Sequence, residues 1–390
     1  MSRNRIEVVV TGGGTSGHVL PAIAVGEALV DRGHPPSAIR FVGTRRGVER
    51  RLVPEAGFVV TLLPGRGFVR RASLRNIASA IGLGTAFVLA AALLSRWRPR
   101  VVVSVGGFAS VACSLAAAAL RIPVVVVNVD AVPGAANRLV GRFARASAVA
   151  FPSTRLPRAV FTGAPVRAAV LAVDRSERGR AEARTELGIP PRKKLLAIVG
   201  GSLGARRLNE LALTLAARLA ERDDLVEYHV SGERDYKMSA ERATDLGLSG
   251  AALEYRLVAY ESRLPLLFAA ADLVICRSGA STVAELCIIG TPAILVPLPG
   301  APSDHQAKNA DYLEKAGAAV VIDDQEATVE RVWDVVSELL DDAERRGELS
   351  SNARRLGRPD AAHKVAGLIE ELAAPSPALG RARSNKKRSA

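Results

Sequence analysis

One pattern recurs along this chain: a short apolar run, a cluster of glycines, then a helical stretch. Residues 6–10 read as a strand, Thr11-Gly12-Gly13-Gly14-Thr15-Ser16-Gly17-His18 as a loop, and residues 21–32 as a helix opening on a proline. The pattern returns with a strand at 194–199, the loop Gly200-Gly201-Ser202-Leu203-Gly204-Ala205-Arg206 and a helix over 208–220. A strand that feeds a glycine turn and then a helix opens a βαβ unit, and such units build parallel sheets covered by helices. Further strands are expected at 39–42, 59–62, 101–105 and 124–127, and in the second half at 227–231, 273–276 and 293–296. Helices are expected over 109–120 and 282–289. The valine runs at 101–103 and 124–127 are continuous rather than alternating, as strands buried on both faces are. The fold class is therefore α/β, with two doubly wound parallel-sheet domains.

The join falls in a Pro- and Arg-bearing stretch at 163–188. The expected division is a first domain over 1–165, a second over 166–358, a final helix over 359–373 placed to pack back on the first domain, and a disordered tail over 374–390. That tail holds Arg381, Arg383, Lys386, Lys387 and Arg388. A chain of 390 residues, 48% apolar and 24% charged, suits two globular domains. Cys113, Cys276 and Cys287 have no metal-ligand spacing and no paired framework, which fits a reducing cytoplasm. The apolar run after the basic opening residues is only strand-long, unlike a secretory leader. The net charge of +14 admits nucleic acid, anionic lipid or phosphorylated substrates as partners, or simply an Arg-rich surface and tail. The basic residues are not interleaved with aromatics, and no RNA-binding motif is present, so nucleic acid is not an expected partner. Between Arg75 and Arg96, residues 77–94 run uncharged for 18 positions, the lower edge for a membrane span. Their Ala and Gly content, and the strand–helix units on both sides, favour a helix packed on the sheet; a helix lying on the bilayer surface is the third reading.

Four clusters carry chemistry. The first glycine loop permits positive φ and close ligand approach, and the helix behind it offers free N–H groups to an anion. No Gly-Lys-Ser/Thr follows, so it is not a Walker A loop, and Arg45 stands where a dinucleotide fold carries an acidic residue. His18 closes the loop; it is placed either to take a proton from an attacking hydroxyl or merely to cap and pack. The Gly200–Gly204 loop repeats the context in the second half, as a phosphate cradle or as a tight turn. Two such loops in successive halves point to a ligand between them, at the carboxyl ends of the strands. In Cys276-Arg277-Ser278-Gly279-Ala280-Ser281-Thr282-Val283-Ala284-Glu285, small residues again leave N–H groups free, and Glu285 is placed to accept a ribose diol or to complement the helix dipole. The fourth piece, residues 297–309, offers Asp304, His305, Gln306 and Asn309.

Together the pieces resemble the MurG family, GT-B glycosyltransferases of family 28 that add GlcNAc to lipid I. The resemblance rests on GGGTSGHVLPAIAV, SVGGFASVACSLAAAALRIPVV, FTGAPVR, VGGSLGARRLN, CRSGASTVAEL, GTPAILVPLP and KNADYLEKAGAAVVI, in order, from Val8 to about Ile322. It implies the GT-B fold, two Rossmann-like domains facing a cleft, and an inverting transfer from UDP-GlcNAc to a lipid-linked pyrophosphate acceptor without a cofactor or bound metal. By that resemblance His18 is the general base. Donor-binding falls to Thr15, Ser16, Gly17, Arg167 near the uracil, Ser202 and Gly204 near the diphosphate, Ser278, Gly279, Ala280, Glu285 on the ribose and Gln306 on the GlcNAc. The acceptor side falls to Gly14, Gly106, Gly107, Asn128, Asp130 and Asn137. The stretch 66–94 matches the family's membrane-facing region, which implies an anionic membrane surface as partner and a peripheral place on its cytoplasmic face.

Three positions depart from the family pattern. Val127-Asn128-Val129-Asp130 replaces the usual His-Glu-Gln-Asn, His305 replaces a second glutamine, and Phe108 a tyrosine. The first departure favours, as the rival reading, a GT-B transferase with another acceptor. A UDP-sugar epimerase shares the scaffold but its local motifs are absent. A non-catalytic nucleotide-binding protein is the reading from another class.

Overall fold

The computed structural model describes residues 6–65, 74–201 and 204–374. Two wholly parallel sheets organise it. The first contains β1 (Val8–Gly12), β2 (Ile39–Thr44), β3 (Val59–Leu63), β4 (Val101–Gly106), β5 (Val124–Asn128), β6 (Ala146–Val149) and β7 (Ala159–Phe161), in the spatial order β3-β2-β1-β4-β5-β6-β7. The second contains β8 (Lys194–Val199), β9 (Leu225–Val230), β10 (Glu254–Val258), β11 (Leu273–Cys276), β12 (Ala293–Leu295) and β13 (Val320–Val321), in the order β10-β9-β8-β11-β12-β13. In each sheet the winding reverses between two central strands, β1 and β4 in one, β8 and β11 in the other. That switch point opens a crevice at the carboxyl ends of the strands. The glycine-bearing loops follow these four strands, so the topology brings all of them to the two crevices.

The valine runs behave as expected: Val101, Val102, Val103, Val125 and Val126 are fully buried, covered by helices on both faces. One expectation is corrected. The first helix spans Ser16–Asp31, not 21–32, and Pro21 lies inside it. Pro21 is the helix's sixth residue, so it takes away the hydrogen bond to the Gly17 carbonyl, and its ring is buried. The earlier start places His18 in the first turn, with its N–H directed to the Thr15 carbonyl at 3.2 Å.

The apolar stretch 77–94 lies within a helix, Leu74–Trp97. Ala86, Ala90 and Leu94, spaced one turn apart, are buried in the cluster that also holds Ala112 and Ala116 of the Phe108–Ala119 helix. The other side is bare: Ile81 is 67% exposed, Val88 64% and Leu89 42%. Among the described residues no helix is long and apolar enough to cross a membrane. The basic positions 66–73 and the tail from 375 onward lie outside the described residues. All three cysteines are free and buried, and burial pushes each thiol up to about 12.

The chain passes between the halves twice. The first crossing follows β7; the second leads to the Ala361–Ala373 helix, whose Ala362, Val365, Ala366 and Ile369 pack into the core of the first half. Glu370 on that helix receives Arg32 Nε at 3.0 Å and lies 3.1 Å from His34 Nε2. The two crossings touch. A β-carbon on Gly163, at φ +86°, would sit 2.4 Å from Cβ of Arg358.

Candidate active site

The first crevice is organised by a residue the sequence reading passed over. Glu49 is buried, and its carboxylate accepts hydrogen bonds from Gly14 N (2.9 Å), Thr44 N (2.6 Å) and Thr44 Oγ1 (2.8 Å). Three glycines crowd it: a β-carbon on Gly13, Gly43 or Gly47 would fall within 2.3 Å of its side chain. Gly14 therefore spends its N–H inside the fold, while the N–H groups of Ser16 and Gly17 have no acceptor among the described residues. The second glycine pair locks against the first loop. Gly107, at φ +92°, leaves no room for a side chain, because a β-carbon would lie 2.6 Å from the Gly13 carbonyl. Gly106, at φ +121°, lies against the His18 ring, 3.0 Å from the place a β-carbon would take.

His18 thus sits between two glycine loops, with Thr15 Oγ1 3.4 Å from Nδ1. Burial lowers its pKa below the ordinary histidine value, Asp130 pulls it back up, and His305 of the second half pushes it down again. The imidazole is neutral near pH 7, the form that accepts a proton. Of the acceptor-side candidates, Asn137 and Asn128 are buried and joined, Asn137 Nδ2 to Asn128 Oδ1 at 3.0 Å, and Asn128 Nδ2 donates to the Asp130 carbonyl at 2.6 Å. Asn137 Oδ1 is buried without a partner among the described residues, 3.5 Å from the same Gly106 β-carbon position.

In the second half, Gly204 at φ +77° abuts the Ser231 carbonyl, and Ser202 lies outside the described residues. Beneath this loop runs a buried relay. Asn209 Nδ2 donates to Ser231 O at 3.0 Å, its Oδ1 lies 3.0 Å from His229 Nε2, and His229 Nδ1 lies 2.7 Å from the Tyr255 hydroxyl. Burial pushes His229 down to about 3, so this imidazole is a neutral strut. The Arg206–Arg218 and Ala280–Ile289 helices begin at the carboxyl ends of β8 and β11, and the N–H groups of their first residues have no acceptor among the described residues. Such helix starts hold anions. Arg277 is held by Asp324 at 2.5 Å and by the Val296 and Pro297 carbonyls. Ser278 Oγ donates to the Gln306 carbonyl at 2.8 Å, and Gln306 Oε1 accepts from Leu298 N at 3.0 Å, leaving the amide nitrogen of Gln306 available. Ser303 and Asp304, just before, both hold positive φ without being glycine, a strained turn that aims His305 and Gln306.

The halves meet across the cleft through Asn309. This buried side chain donates to Asp130 Oδ1 at 3.0 Å and to Ser278 O at 3.1 Å, and accepts from Ala131 N at 2.8 Å. Asp130 is thereby committed to a clasp between the halves. Nothing in the sequence marks this pairing, since its members are 179 positions apart. Glu285 lies buried with Arg167 at 3.7 Å, and burial raises it to about 7 against the pull of Arg167. Among the described residues no three His, Cys, Asp or Glu side chains group as metal ligands would.

The raised carboxyl has a measurable effect. The folded state keeps a proton on Glu285 that the unfolded chain gives up near pH 4.5, so the stabilisation is present below that pH and is lost as pH rises through about 7. The loss is on the order of 3 kcal/mol. Denaturant midpoints compared at pH 5 and pH 8 are expected to fall less for Glu285→Gln than for the parent; equal falls would refute this.

The neighbours of this chain agree with that architecture. Residues 8–149 match the glycosyltransferase family 28 N-terminal domain and residues 195–365 the family 28 C-terminal domain. Curated relatives named UDP-N-acetylglucosamine–N-acetylmuramyl-(pentapeptide) pyrophosphoryl-undecaprenol N-acetylglucosamine transferase align across nearly the whole chain. The one from Desulforudis audaxviator is 37% identical over 94% of this chain and 99% of its own length. That of a Nocardioides species is 38% identical over 94% and 98%. Among solved structures, Acinetobacter baumannii MurG superposes with a TM-score of 0.71 at 27% identity, covering 94% of this chain and 99% of its own. A UDP-GlcNAc 2-epimerase from Neisseria meningitidis superposes with a TM-score of 0.64 at 13% identity, covering 94% and 100%, a likeness of fold alone. Two matched halves, and relatives above one-third identity from end to end, place the ownership of these crevices beyond the fold: the chain belongs to glycosyltransferase family 28, in its MurG branch of GT-B enzymes.

Proposed function

We propose that this chain transfers GlcNAc from UDP-GlcNAc to the muramyl sugar of undecaprenyl-pyrophosphoryl-MurNAc-pentapeptide, lipid I, with inversion, to give lipid II for peptidoglycan. The observation that carries this reading is the meeting, across one cleft, of a neutral imidazole from the first half with the free N–H groups that open two helices of the second. The acceptor hydroxyl attacks the anomeric carbon, forming a carbon–oxygen bond as the bond to the UDP oxygen breaks. The hydroxyl proton passes to His18. The negative charge that builds on the leaving diphosphate is met by N–H groups at the starts of the Arg206–Arg218 and Ala280–Ile289 helices, joined by Ser202 and Gly204. Glu285 accepts the ribose hydroxyls, Arg167 borders the uracil, and the Gln306 amide addresses the GlcNAc. Gly14, Gly106 and Gly107 shape the acceptor wall, and Thr15, Ser16 and Gly17 reach the donor from the first half.

The acceptor is membrane-borne, and the exposed Ile81, Val88 and Leu89 face gives the first half an apolar surface for a bilayer headgroup region. The excess of positive charge attracts that surface when it is anionic. The enzyme works from the cytoplasmic face without spanning it. One observation favours another acceptor: the 127–130 segment lacks the family's His and Glu, and Asp130 is occupied by Asn309. Transfer of labelled GlcNAc from UDP-GlcNAc to a short-chain lipid I analogue, with EDTA present, decides between them. Product is expected; no product with UDP binding intact would transfer the proposal to a different acceptor.

A further inference from the structure

A second concave site lies on the far side of the second half. A cavity of about 690 Å³ opens at the amino ends of its strands, where Lys194 begins β8, Asp272 precedes β11 and Pro292 precedes β12. The glycine loops leave the carboxyl ends of the same strands. Six residues of β8 span roughly 20 Å, so the cavity and the cleft are separate places.

The lining is strongly one-signed: eight Arg and Lys side chains face two carboxylates, Glu177 and Asp272. Seven of the cations come from three stretches of chain, and Arg175 lies just ahead of the first. Arg180 and Arg184 are one turn apart on the Glu177–Glu186 helix. Arg346 and Arg354 are two turns apart on the Ala343–Leu356 helix, with Ser350 between them on the same face. The turn before β8 adds Arg192, Lys193 and Lys194.

The protein's own acids cover only part of this charge. Asp272 takes Arg180 and Arg184, each at 2.6 Å; Lys193 reaches Glu254 at 3.6 Å and Lys194 reaches Asp341 at 2.7 Å. Arg175, Arg192, Arg346 and Arg354 form no ion pair among the described residues, although Asp272 acts on Arg175 and Asp174 on Arg354 from further off. Arg346 bonds to the Leu340 carbonyl at 2.7 Å, and Arg175 donates to the Ala271 carbonyl at 2.7 Å while its buried Nε has no partner among the described residues. Burial, together with the neighbouring Arg180, Arg354 and Arg184 guanidinium groups, pushes Arg175 down to about 9 against the opposing pull of Asp272. Like charges held in a partly desolvated hollow repel, and the groups left over are guanidinium forks, whose geometry matches phosphate oxygens.

We propose that this cavity binds a small multivalent phosphate anion of the oligophosphate class, either free or as the phosphate tail of a nucleotide. The anion bridges the two helices and the turn before β8, completing with its oxygens the charge that Asp272 leaves open.

The test uses the full chain with its cleft saturated by UDP. Calorimetric titration with inorganic triphosphate is expected to give one saturable site per chain, weakened as salt rises. Hydrogen exchange is expected to slow at 175–194 and 343–354 when the anion is added. Adenosine triphosphate in a parallel titration separates the sources: equal affinity means the phosphates suffice, and tighter binding means a nucleotide is the preferred form. Arg192→Gln/Arg354→Gln, which removes two cations that form no ion pair among the described residues, is expected to weaken triphosphate at least tenfold and to leave UDP affinity unchanged. Arg192→Gln alone, at an exposed position, guards against a folding defect and is expected to weaken it severalfold. Lys237→Gln, at a side chain 90% exposed elsewhere in the same half, is expected to change nothing. Absence of saturable binding, exchange protection confined to other segments, or equal weakening by Lys237→Gln overturns the proposal.

Discussion

His18→Ala is expected to lower kcat by about two to four orders of magnitude while UDP affinity stays within twofold of the parent. The side chain is wedged between the Gly106 backbone and the first turn of the Ser16–Asp31 helix, and it belongs to the half opposite the residues proposed for the diphosphate, ribose and uracil. Its loss therefore removes a proton acceptor without disturbing the donor-side helix starts. The pH profile gives a second reading of the same group. Burial holds its pKa below 6.5, so the base is available through neutrality, and kcat falls only as pH drops through that lowered value. In His18→Ala the acid limb attributable to this group disappears. Turnover unchanged by the substitution would remove His18 from the mechanism, and an acid limb at or above the ordinary histidine value would contradict the buried, neutral ring. Asp130 is the weaker rival for the role, because its carboxylate already accepts from Asn309.

Glu49→Ala is expected to cost about 3–5 kcal/mol of stability, since each buried donor left without an acceptor costs roughly 1–3 kcal/mol and a cavity adds to that. Three donors lose their acceptor at once: Gly14 N, Thr44 N and Thr44 Oγ1. The hollow left among Gly13, Gly43 and Gly47 has no side chains able to refill it. For a domain of this size the melting temperature falls by roughly 6–20 °C. Glu49→Gln keeps the volume and one acceptor oxygen, so its loss is expected to be smaller. Scanning calorimetry of the three proteins checks this order; a Glu49→Ala melting temperature within 2 °C of the parent would sink the assigned role. Because Gly14 is held by this carboxylate, the alanine variant also slackens the loop that carries His18, and kcat is expected to fall with stability.

What could be read from the sequence and what could not divides along physical lines. The central strands were legible because burial on both faces demands uninterrupted apolar runs, and the crevice loops because close backbone approach demands glycine. The edges were not. Ala146–Val149, Ala159–Phe161 and Val320–Val321 are too short and too ordinary in composition to stand out, and their pairing is settled by neighbours already in place. The first helix was placed late because a proline usually marks a start, whereas here the turn before Pro21 is held by Thr15 and by packing. Glu49 reads as one more charge in an Arg-rich stretch; only the fold shows three glycines arranged around it. Asn209, His229 and Tyr255 form their relay from two strands and a helix, and Asn309 meets Asp130 across the halves. Such pairs depend on register and approach, which local sequence does not encode.

The double passage of the chain between its halves sets how those halves can move. A single connecting strand acts as a swivel, free to turn about any axis. Here two passages run side by side and touch at Gly163 and Arg358, so together they define a line. Opening the cleft about that line leaves both links and the Ala361–Ala373 helix undisturbed, whereas twisting one half against the other would pull that helix out of the first core. The molecule is built like a door on two pins, and the Asn309–Asp130 clasp sits close beside them, since Tyr312 and Leu313 of the helix that carries Asn309 line the same hollow as Gly163 and Arg358.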